Sequence, residues 1–234
     1  MPSASQFVSG PPGEAAPNSG EPSSGSYAFR YLERLTDRPL PRREVFERAV
    51  TLMAFEPGEV IFESGEELPY LFMVLRGGVK VGDETRGSER LTGVARVGDL
   101  LGSLPSVLPV GMPDLIAGHV AESTFEPGPT WGRTNRSAIA IVDTVVERLD
   151  MRVLTSLMQR HAAWAMVGFH AMALHALGQE RRARDLLTLS AQERYLNFLV
   201  ELPELIGLLP QKDIAAYIGV TPVGLSRIAA RSRR

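Results

Sequence analysis

The sequence contains no cysteine, which excludes disulfides, iron–sulfur clusters held by thiolates and zinc–thiolate sites. It has no apolar run near the length of about twenty residues that a membrane-spanning helix needs. Its N-terminus also lacks the basic start and apolar run of a secretion signal. We therefore expect a cytoplasmic protein that makes no contact with a membrane.

A global excess of basic charge is also missing, because the formal net charge is -2. Any surface that binds nucleic acid must therefore be local. The C-terminal segment supplies such a patch: between Lys212 and Arg234 five basic residues stand against the single acid Asp213. This is the charge pattern expected of a segment that contacts phosphates. The alternative is an ordinary solvated terminus.

The first part of the chain has few large apolar side chains. Residues 1–29 consist mainly of Ser, Gly, Pro, Ala and Glu, so we predict a disordered tail. Between Pro41 and Phe55, apolar residues such as Val45, Phe46 and Ala49 recur at helical spacing, which predicts a helix packed on the following domain. With 234 residues and 44% hydrophobic content, the chain is long enough for two domains.

After Phe55 the pattern changes to short apolar runs separated by glycine and enriched in β-branched and aromatic residues. It predicts a small antiparallel barrel or roll over residues 30–150. The proline-rich stretch at 104–135 is too long for an ordinary turn, and we interpret it as an inserted loop. Strands are predicted at Phe55–Phe62, Tyr70–Leu75, Gly77–Val81, Leu91–Val97 and Ser137–Val146.

Residues 151–183 have a helical period, with a stripe that alternates by four and three residues. This spacing is typical of a seam between two long helices, so we predict a dimerisation helix and a homodimer. The alternative is that the stripe packs on its own domain. The predicted seam consists of Leu154, Met158, His161, Ala165, Gly168, Met172 and His175.

The last unit, residues 184–234, ends in a helix-turn-helix pattern. A short helix stops at Gly219, Thr221 is placed to cap the next helix, and Pro222 fits its first position. The second helix would enter a DNA groove, and no wing hairpin follows it. The alternative is a helical hairpin without DNA. The predicted DNA-binding residues are Thr221, Pro222, Val223, Ser226, Arg227, Arg231, Arg233 and Arg234.

Several motifs of the roll give the chain a family resemblance. They are the segment Phe55–Phe62 with Gly65, the run from Leu75 to Val79, the run from Gly98 to Ser103, and the pair Arg136–Ser137. With the helix-turn-helix, they resemble the bacterial transcription regulators related to the cyclic-AMP receptor protein and the fumarate-nitrate regulator. The resemblance covers about residues 50–231. It implies an α+β protein with an N-terminal antiparallel β-roll like the cyclic-nucleotide-binding jelly roll, a long dimerisation helix and a C-terminal helix-turn-helix without a clear wing.

The resemblance also implies a ligand site, in which Gly102, Ser103, Arg136 and Ser137 would hold the phosphate and ribose of a cyclic nucleotide. Cyclic AMP is the candidate effector, and the sequence indicates no other cofactor. The pattern departs from the family at Ser103, where an acid normally holds the ribose, and in the insertion that follows it. A structural ion pair is the alternative role of Arg136.

These observations together predict a dimeric DNA-binding transcription regulator with an effector-sensing roll. Its partners would be double-stranded DNA, a second copy of the chain and, by family resemblance, RNA polymerase. The sequence has no signature of a nucleophile with its base or of a phosphate loop, so we expect no enzyme activity. The histidines lack metal-ligand spacing, and no metal is expected. Two alternatives stay open: a regulator whose roll binds no ligand, and a sensor or interaction protein that does not bind DNA.

Overall fold

The N-terminal segment folds onto the rest of the protein through two short helices. The computed structural model describes residues 25–85, 88–107, 110 and 132–232. Helix α1 (Tyr27–Arg34) and helix α2 (Arg43–Arg48) open the described chain. Helix α1 begins inside the tail for which we predicted disorder, so the boundary at residue 29 is wrong: Ala28 and Phe29 are buried in a core. Residues 1–24 of that tail lie outside the described residues.

The middle of the chain is an antiparallel roll. In the described residues its strands form two four-stranded sheets, with the orders β1-β8-β3-β6 and β2-β7-β4-β5. This arrangement, followed by helices, confirms the predicted α+β fold class. The strands are β1 (Val50–Phe55), β2 (Val60–Phe62), β3 (Tyr70–Arg76), β4 (Gly78–Thr85), β5 (Ser88–Arg96), β6 (Leu100–Leu101), β7 (Ser137–Ala140) and β8 (Thr144–Asp150).

Two of the sequence predictions at the start of the roll are wrong in extent. The helix predicted up to Phe55 ends at Arg48, and residues 50–55 form β1. Strand β1 pairs with β8 along its whole length, from Val50 opposite Leu149 to Phe55 opposite Thr144. Pairing with a distant strand therefore overrides the local helical spacing. The strand predicted at Phe55–Phe62 is divided between β1 and β2 by a turn.

The interior of the roll is apolar and closely packed. Phe62 and Phe72 stack with ring centroids 5.7 Å apart, among buried Val, Leu and Ala side chains. The turn between β3 and β4 requires glycine at residue 77, where φ is +85°. A Cβ there would lie 2.5 Å from both the carbonyl oxygen of Asp143 and Oγ1 of Thr144. Glycine in this part of the family motif is thus explained by packing of the roll.

Helices complete the chain, and two predicted boundaries change. The helix predicted over 151–183 is two helices, because His161 has extended backbone angles that interrupt it. The second of them runs on to Thr188, so the last unit begins after residue 184. The first residues of the predicted loop at 104–135 are helical. The helices are α3 (Leu104–Val107), α4 (Met151–Arg160), α5 (Ala162–Thr188), α6 (Ala191–Glu201), α7 (Gln211–Ile218) and α8 (Pro222–Ser232).

A buried carboxylate fastens the N-terminal segment to the roll. Glu147 on β8 accepts hydrogen bonds from the hydroxyl of Ser26 (2.8 Å) and from the N–H groups of Tyr27 (3.0 Å) and Ala28 (2.7 Å). The carboxylate therefore satisfies free N–H groups in the first turn of α1, where negative charge is favourable.

An aromatic cluster then joins this segment to α5. The ring of Trp164 lies 6.0 Å from that of Phe29 and 5.3 Å from that of Phe46. Its indole N–H donates to the carbonyl of Pro41 (2.8 Å). The N-terminal helices thus cover the inner face of α5. Among the described residues, every helix is too short or too polar to span a membrane.

The helix-turn-helix packs directly on the roll. Leu91 and Val94 of β5 share a buried core with Ile214 and Tyr217 of α7. Two polar contacts lie beside this core: the guanidinium of Arg96 donates to the carbonyl of Glu201 (2.7 Å), and Nζ of Lys80 lies 3.9 Å from the carboxylate of Asp213. Strand β5 therefore sets the position of the helix-turn-helix relative to the roll.

Candidate functional site

The turn between α7 and α8 has the local geometry that the sequence predicts. Gly219 ends α7 with φ +73° and its N–H donates to carbonyls of the last turn. Oγ1 of Thr221 accepts a hydrogen bond from the N–H of Gly224 (3.1 Å), so it caps α8, and Pro222 is the first residue of that helix. Each signal acts within a few residues, which is why it could be read from the sequence.

The outer face of α8 is open to solvent. Leu225 and Ala229 face inward and are buried. The predicted DNA-binding residues on the described part of the helix are all exposed: Thr221, Pro222, Val223, Ser226, Arg227 and Arg231. No acidic residue lies in the first turn, and Arg231 lies in the last. The structure therefore brings six of the eight predicted residues together, and Arg233 and Arg234 lie outside the described residues.

Two arginines that the sequence analysis missed hold the end of α7. Arg182 on α5 donates to the carbonyl of Tyr217, and its guanidinium lies 4.3 Å from the centre of the Tyr217 ring. Arg194 on α6 donates through Nε to the carbonyl of Ile218 (2.7 Å) and through Nη1 to that of Leu189 (2.6 Å). The last carbonyl groups of a helix have no hydrogen-bond partner inside the helix. The two arginines donate hydrogen bonds to these carbonyls, and their positive charge is favourable at the negative end of the helix dipole.

These two arginines orient the helix-turn-helix from outside it. Arg182 belongs to the long helix α5 and Arg194 to α6, so both reach α7 from other elements. No short motif could have indicated them, because their partners lie 35 and 24 residues away along the chain.

The four residues predicted to bind a ligand lie around the junction where the described part of the insertion joins the roll. The hydroxyl of Ser103 donates to Oδ1 of Asn135 (3.0 Å) and accepts from the N–H of Asn135 (3.3 Å). The hydroxyl of Ser137 accepts from the N–H of Ser64 (3.0 Å). Both hydroxyls thus join strands and loops of the protein itself.

Gly102 and Arg136 complete this group. A Cβ on Gly102 would lie 2.6 Å from Cδ2 of Leu71, so packing alone favours glycine there. Arg136 is partly buried, and its Nε is enclosed. A nearby cavity of about 360 Å³ is lined by other residues, among them Leu68, Ser106 and Arg133. The phosphate- and ribose-binding role of the four residues stays a prediction.

The residues of the predicted dimer seam do not form one exposed stripe in the structure, and their role in a dimer stays a prediction. Leu154 lies in the core of its own protomer, and the sulfur of Met158 packs against Gly168, where a Cβ would lie 2.5 Å away. His161 lies at the break between α4 and α5, and His175 is half-buried. Only Ala165 and Met172 of the predicted seam are exposed. The interruption at His161 places the early and late members of the stripe on different helices.

The structure exposes an apolar face on α5 that shares Met172 with the predicted stripe and is otherwise rotated from it by roughly a quarter turn. We call it the α5 face and define it by Met166, Phe169, Met172 and Leu177, whose side chains are all exposed. The opposite side of the helix is buried at Trp164 and Val167, against the N-terminal segment. Large apolar side chains that recur at helical spacing on the exposed side of a helix are typical of a contact surface.

The histidines do not form a metal site in the described part of the chain. The Nδ1–H of His170 donates to the carbonyl of Leu35 (2.7 Å), which ties α5 to the N-terminal segment. Among the described residues, no group of three or more His, Asp or Glu side chains is placed to hold a metal ion.

Comparison with known families bears on the roll. Residues 52–113 match the family model described as the cyclic nucleotide-binding domain. The chain carries a cyclic nucleotide-binding domain. The matched segment begins in β1 and extends past α3, so it includes Gly102 and Ser103 of the predicted ligand site and excludes Arg136 and Ser137. A search of curated proteins found no match.

Several solved structures are similar to this chain in fold. FixK2 from Bradyrhizobium japonicum is 21% identical over 78% of this chain and 83% of its own, with a TM-score of 0.58. A protein of the crp/fnr family from Eubacterium rectale is 16% identical over 84% of both chains, with a TM-score of 0.62. A CooA mutant from Carboxydothermus hydrogenoformans is 15% identical over 86% of this chain and 83% of its own, with a TM-score of 0.55. Because these sequence identities are low, the structural likeness bears on the fold alone, and it confirms that this chain has the predicted fold of the Crp/Fnr regulators.

Proposed function

We propose that this protein is a DNA-binding transcription regulator that acts as a homodimer. The observation that carries the proposal is the capped helix-turn-helix, which buries the inner face of α8 and leaves Ser226, Arg227 and Arg231 exposed on the outer face. An arginine at the position of Arg227 is able to pair with both acceptors of a guanine edge. By family resemblance, RNA polymerase would be a further partner.

The dimer would form through the α5 face. Two copies of α5 that meet along Met166, Phe169, Met172 and Leu177 would remove these side chains from water, which is the main favourable term in association. A two-fold dimer would then present two copies of α8 to successive major grooves, about one helical turn apart. The target site would be palindromic.

The cyclic nucleotide-binding domain would act as the effector domain, with cyclic AMP as the first nucleotide to test. A ligand-free domain is the second candidate, and one observation favours it. Ser103 is buried and bonded to Asn135, and the hydroxyl of Ser137 is bonded to Ser64. A nucleotide that used these hydroxyls would have to break those hydrogen bonds.

Fluorescence anisotropy on duplexes selected from a random pool would test DNA binding, at two salt concentrations and with or without cyclic AMP and cyclic GMP. We expect binding that weakens as salt rises, because phosphate contacts release counterions. Arg227→Ala should lose about 1–3 kcal/mol of preference for the selected site over random DNA. Arg38→Ala, an exposed arginine remote from α8, is the matched control.

Two results would redirect the proposal. Absent or salt-insensitive binding would favour the interaction protein that does not bind DNA. For the effector, calorimetry with both nucleotides separates the two candidates: heat that Arg136→Ala abolishes would support nucleotide binding at the predicted site, and no heat would favour the ligand-free domain.

A further inference from the structure

The first two turns of α8, the part of a recognition helix that contacts base edges, have few polar side chains for reading bases. Asn and Gln read adenine, and Asp and Glu accept from the amino group of cytosine, but α8 contains none of these four residue types. Arg227 is exposed and suited to a guanine edge, and the exposed Ser226 can bond to any base. Polar readout in these two turns therefore centres on one guanine.

The same turns expose an apolar surface. Val223 is the second residue of α8, and its side chain is 64% exposed. Pro222, directly before it, is exposed as well. Leu225 and Ala229 are the buried residues on the inner side of the helix. Packing of α8 on its own protomer therefore leaves Val223 available for a contact outside the protein.

The position of Val223 is well defined. Oγ1 of Thr221 accepts from the N–H of Gly224 (3.1 Å), which fixes the start of the helix around Val223. A side chain branched at Cβ also has few rotamers in a helix. Val223 and Arg227 are four residues apart, so they lie on the same side of α8 and about 6 Å apart along its axis. Because successive bases of one strand are about 3.4 Å apart, the two side chains would reach bases about two steps from each other.

The apolar group that base pairs present in the major groove is the C5-methyl group of thymine. Contact with an apolar side chain removes both groups from water, which is favourable. Against cytosine or adenine, the same side chain would cover a polar amino group and offer it no hydrogen bond, which is costly. An apolar side chain at this place therefore favours thymine over these two bases.

We propose that Val223 reads the C5-methyl group of a thymine about two base steps from the guanine read by Arg227, in each half of the palindromic target. Pro222 extends the apolar surface beside this methyl group. The inference rests on the proposed DNA-binding function, and it specifies the base feature that the start of α8 selects. Discrimination at this base comes from removal of apolar surface from water.

Deoxyuridine differs from thymidine by the C5-methyl group alone, so it isolates this contact. In a duplex selected from a random pool, each thymine is replaced in turn by deoxyuridine in both halves, and fluorescence anisotropy measures the affinity of the full-length protein. At one thymine position we expect the dissociation constant to rise about fourfold for each half-site and about fifteenfold for both, the effect of burying one methyl-sized group in each half.

Replacement of guanine by 7-deazaguanine removes the N7 acceptor and so locates the base that Arg227 reads. The guanine that responds should lie about two steps from the thymine that responds. Arg227→Ala should lose the response to 7-deazaguanine and keep the response to deoxyuridine.

Substitutions at Val223 connect the methyl group to this side chain. Val223→Ala shortens an exposed side chain, and the variant should bind the thymidine and deoxyuridine duplexes equally. Val223→Ile keeps an apolar side chain and should keep the preference for thymidine. The matched control is Val200→Ala, because Val200 is 80% exposed but lies on α6, outside the recognition helix. It should show the full deoxyuridine effect.

Three outcomes would overturn the proposal. The first is salt-dependent binding that no deoxyuridine changes, or a selected half-site without thymine, which would leave DNA binding standing and remove the methyl contact. The second is a deoxyuridine effect of equal size in Val223→Ala and the wild type, which would assign the methyl contact to another side chain. The third is a protein that binds no duplex, which would remove the DNA-binding function and this inference with it.

Discussion

Phe169→Glu is the sharpest test of the proposed dimer. The Phe169 ring lies at the centre of the α5 face and is 64% exposed in the protomer. Full burial of a phenylalanine side chain contributes about 1.5–3 kcal/mol, so its exposed part would contribute about 1–2 kcal/mol when a partner covers it. A two-fold dimer contains two copies, which gives about 2–4 kcal/mol. Glutamate removes this term and adds the cost of placing two charges in an apolar interface.

The dissociation constant of the dimer should therefore rise by at least about 30-fold. Sedimentation velocity over a dilution series measures it directly, and circular dichroism verifies that the variant is folded. Leu52→Glu is the matched control, because Leu52 is 65% exposed but lies on strand β1 of the roll. Its dimer should dissociate as the wild type does. A Phe169→Glu protein with the wild-type dissociation constant, or a wild type that stays monomeric at every concentration, would refute the α5 face as the dimer interface.

Three further predictions concern the stability of the elements that position the sites. Glu147→Ala should lower the free energy of unfolding in urea by about 2–4 kcal/mol and speed amide exchange in α1, because three hydrogen bonds are lost. The control Glu44→Ala, at an exposed site on α2, should change neither quantity. Equal effects of the two substitutions would contradict the capping role of Glu147. Gly219→Ala should lower the free energy of unfolding by about 1 kcal/mol in the same urea assay, because alanine is strained at φ +73°. An unchanged midpoint of urea unfolding would be inconsistent with this backbone geometry. Burial raises the pKa of the phenols of Tyr31 and Tyr217 above their usual value of 10. The unfolded chain would then ionise first, so stability is fully present below pH 10 and falls as the pH rises above it. Urea unfolding at about pH 9 and about pH 11 measures how much stability is lost between these two pH values, and this loss should be smaller in Tyr217→Phe. An equal loss in that variant would count against the raised pKa of Tyr217 as its cause.

The features predicted correctly depend on residues that are close in sequence. Gly219, Thr221 and Pro222 act within one turn of the helices that they end or begin, so their chemistry specifies the helix-turn-helix. Alternating apolar residues and turn glycines such as Gly77 predict the roll in the same way. The family resemblance was carried by these local motifs.

The wrong predictions have a common cause in contacts between distant residues. Strand β1 has helical spacing but pairs with β8, nearly a hundred residues away. Helix α1 begins inside the segment predicted to be a disordered tail, because Glu147 accepts hydrogen bonds from its first turn and Trp164 packs against Phe29. The interruption at His161 changes which side of the long helix is exposed, and so it changes which residues are available for a dimer.

The sequence by itself determined the class of the fold, the position of the helix-turn-helix and the outward face of its second helix, because these follow from periodicity and capping within a few residues. Only the tertiary structure decided which face of α5 is exposed, how Arg182 and Arg194 fix α7, and that β5 supports the helix-turn-helix. Those features arise when side chains from separate elements meet, and no local pattern in the chain records which elements will be neighbours.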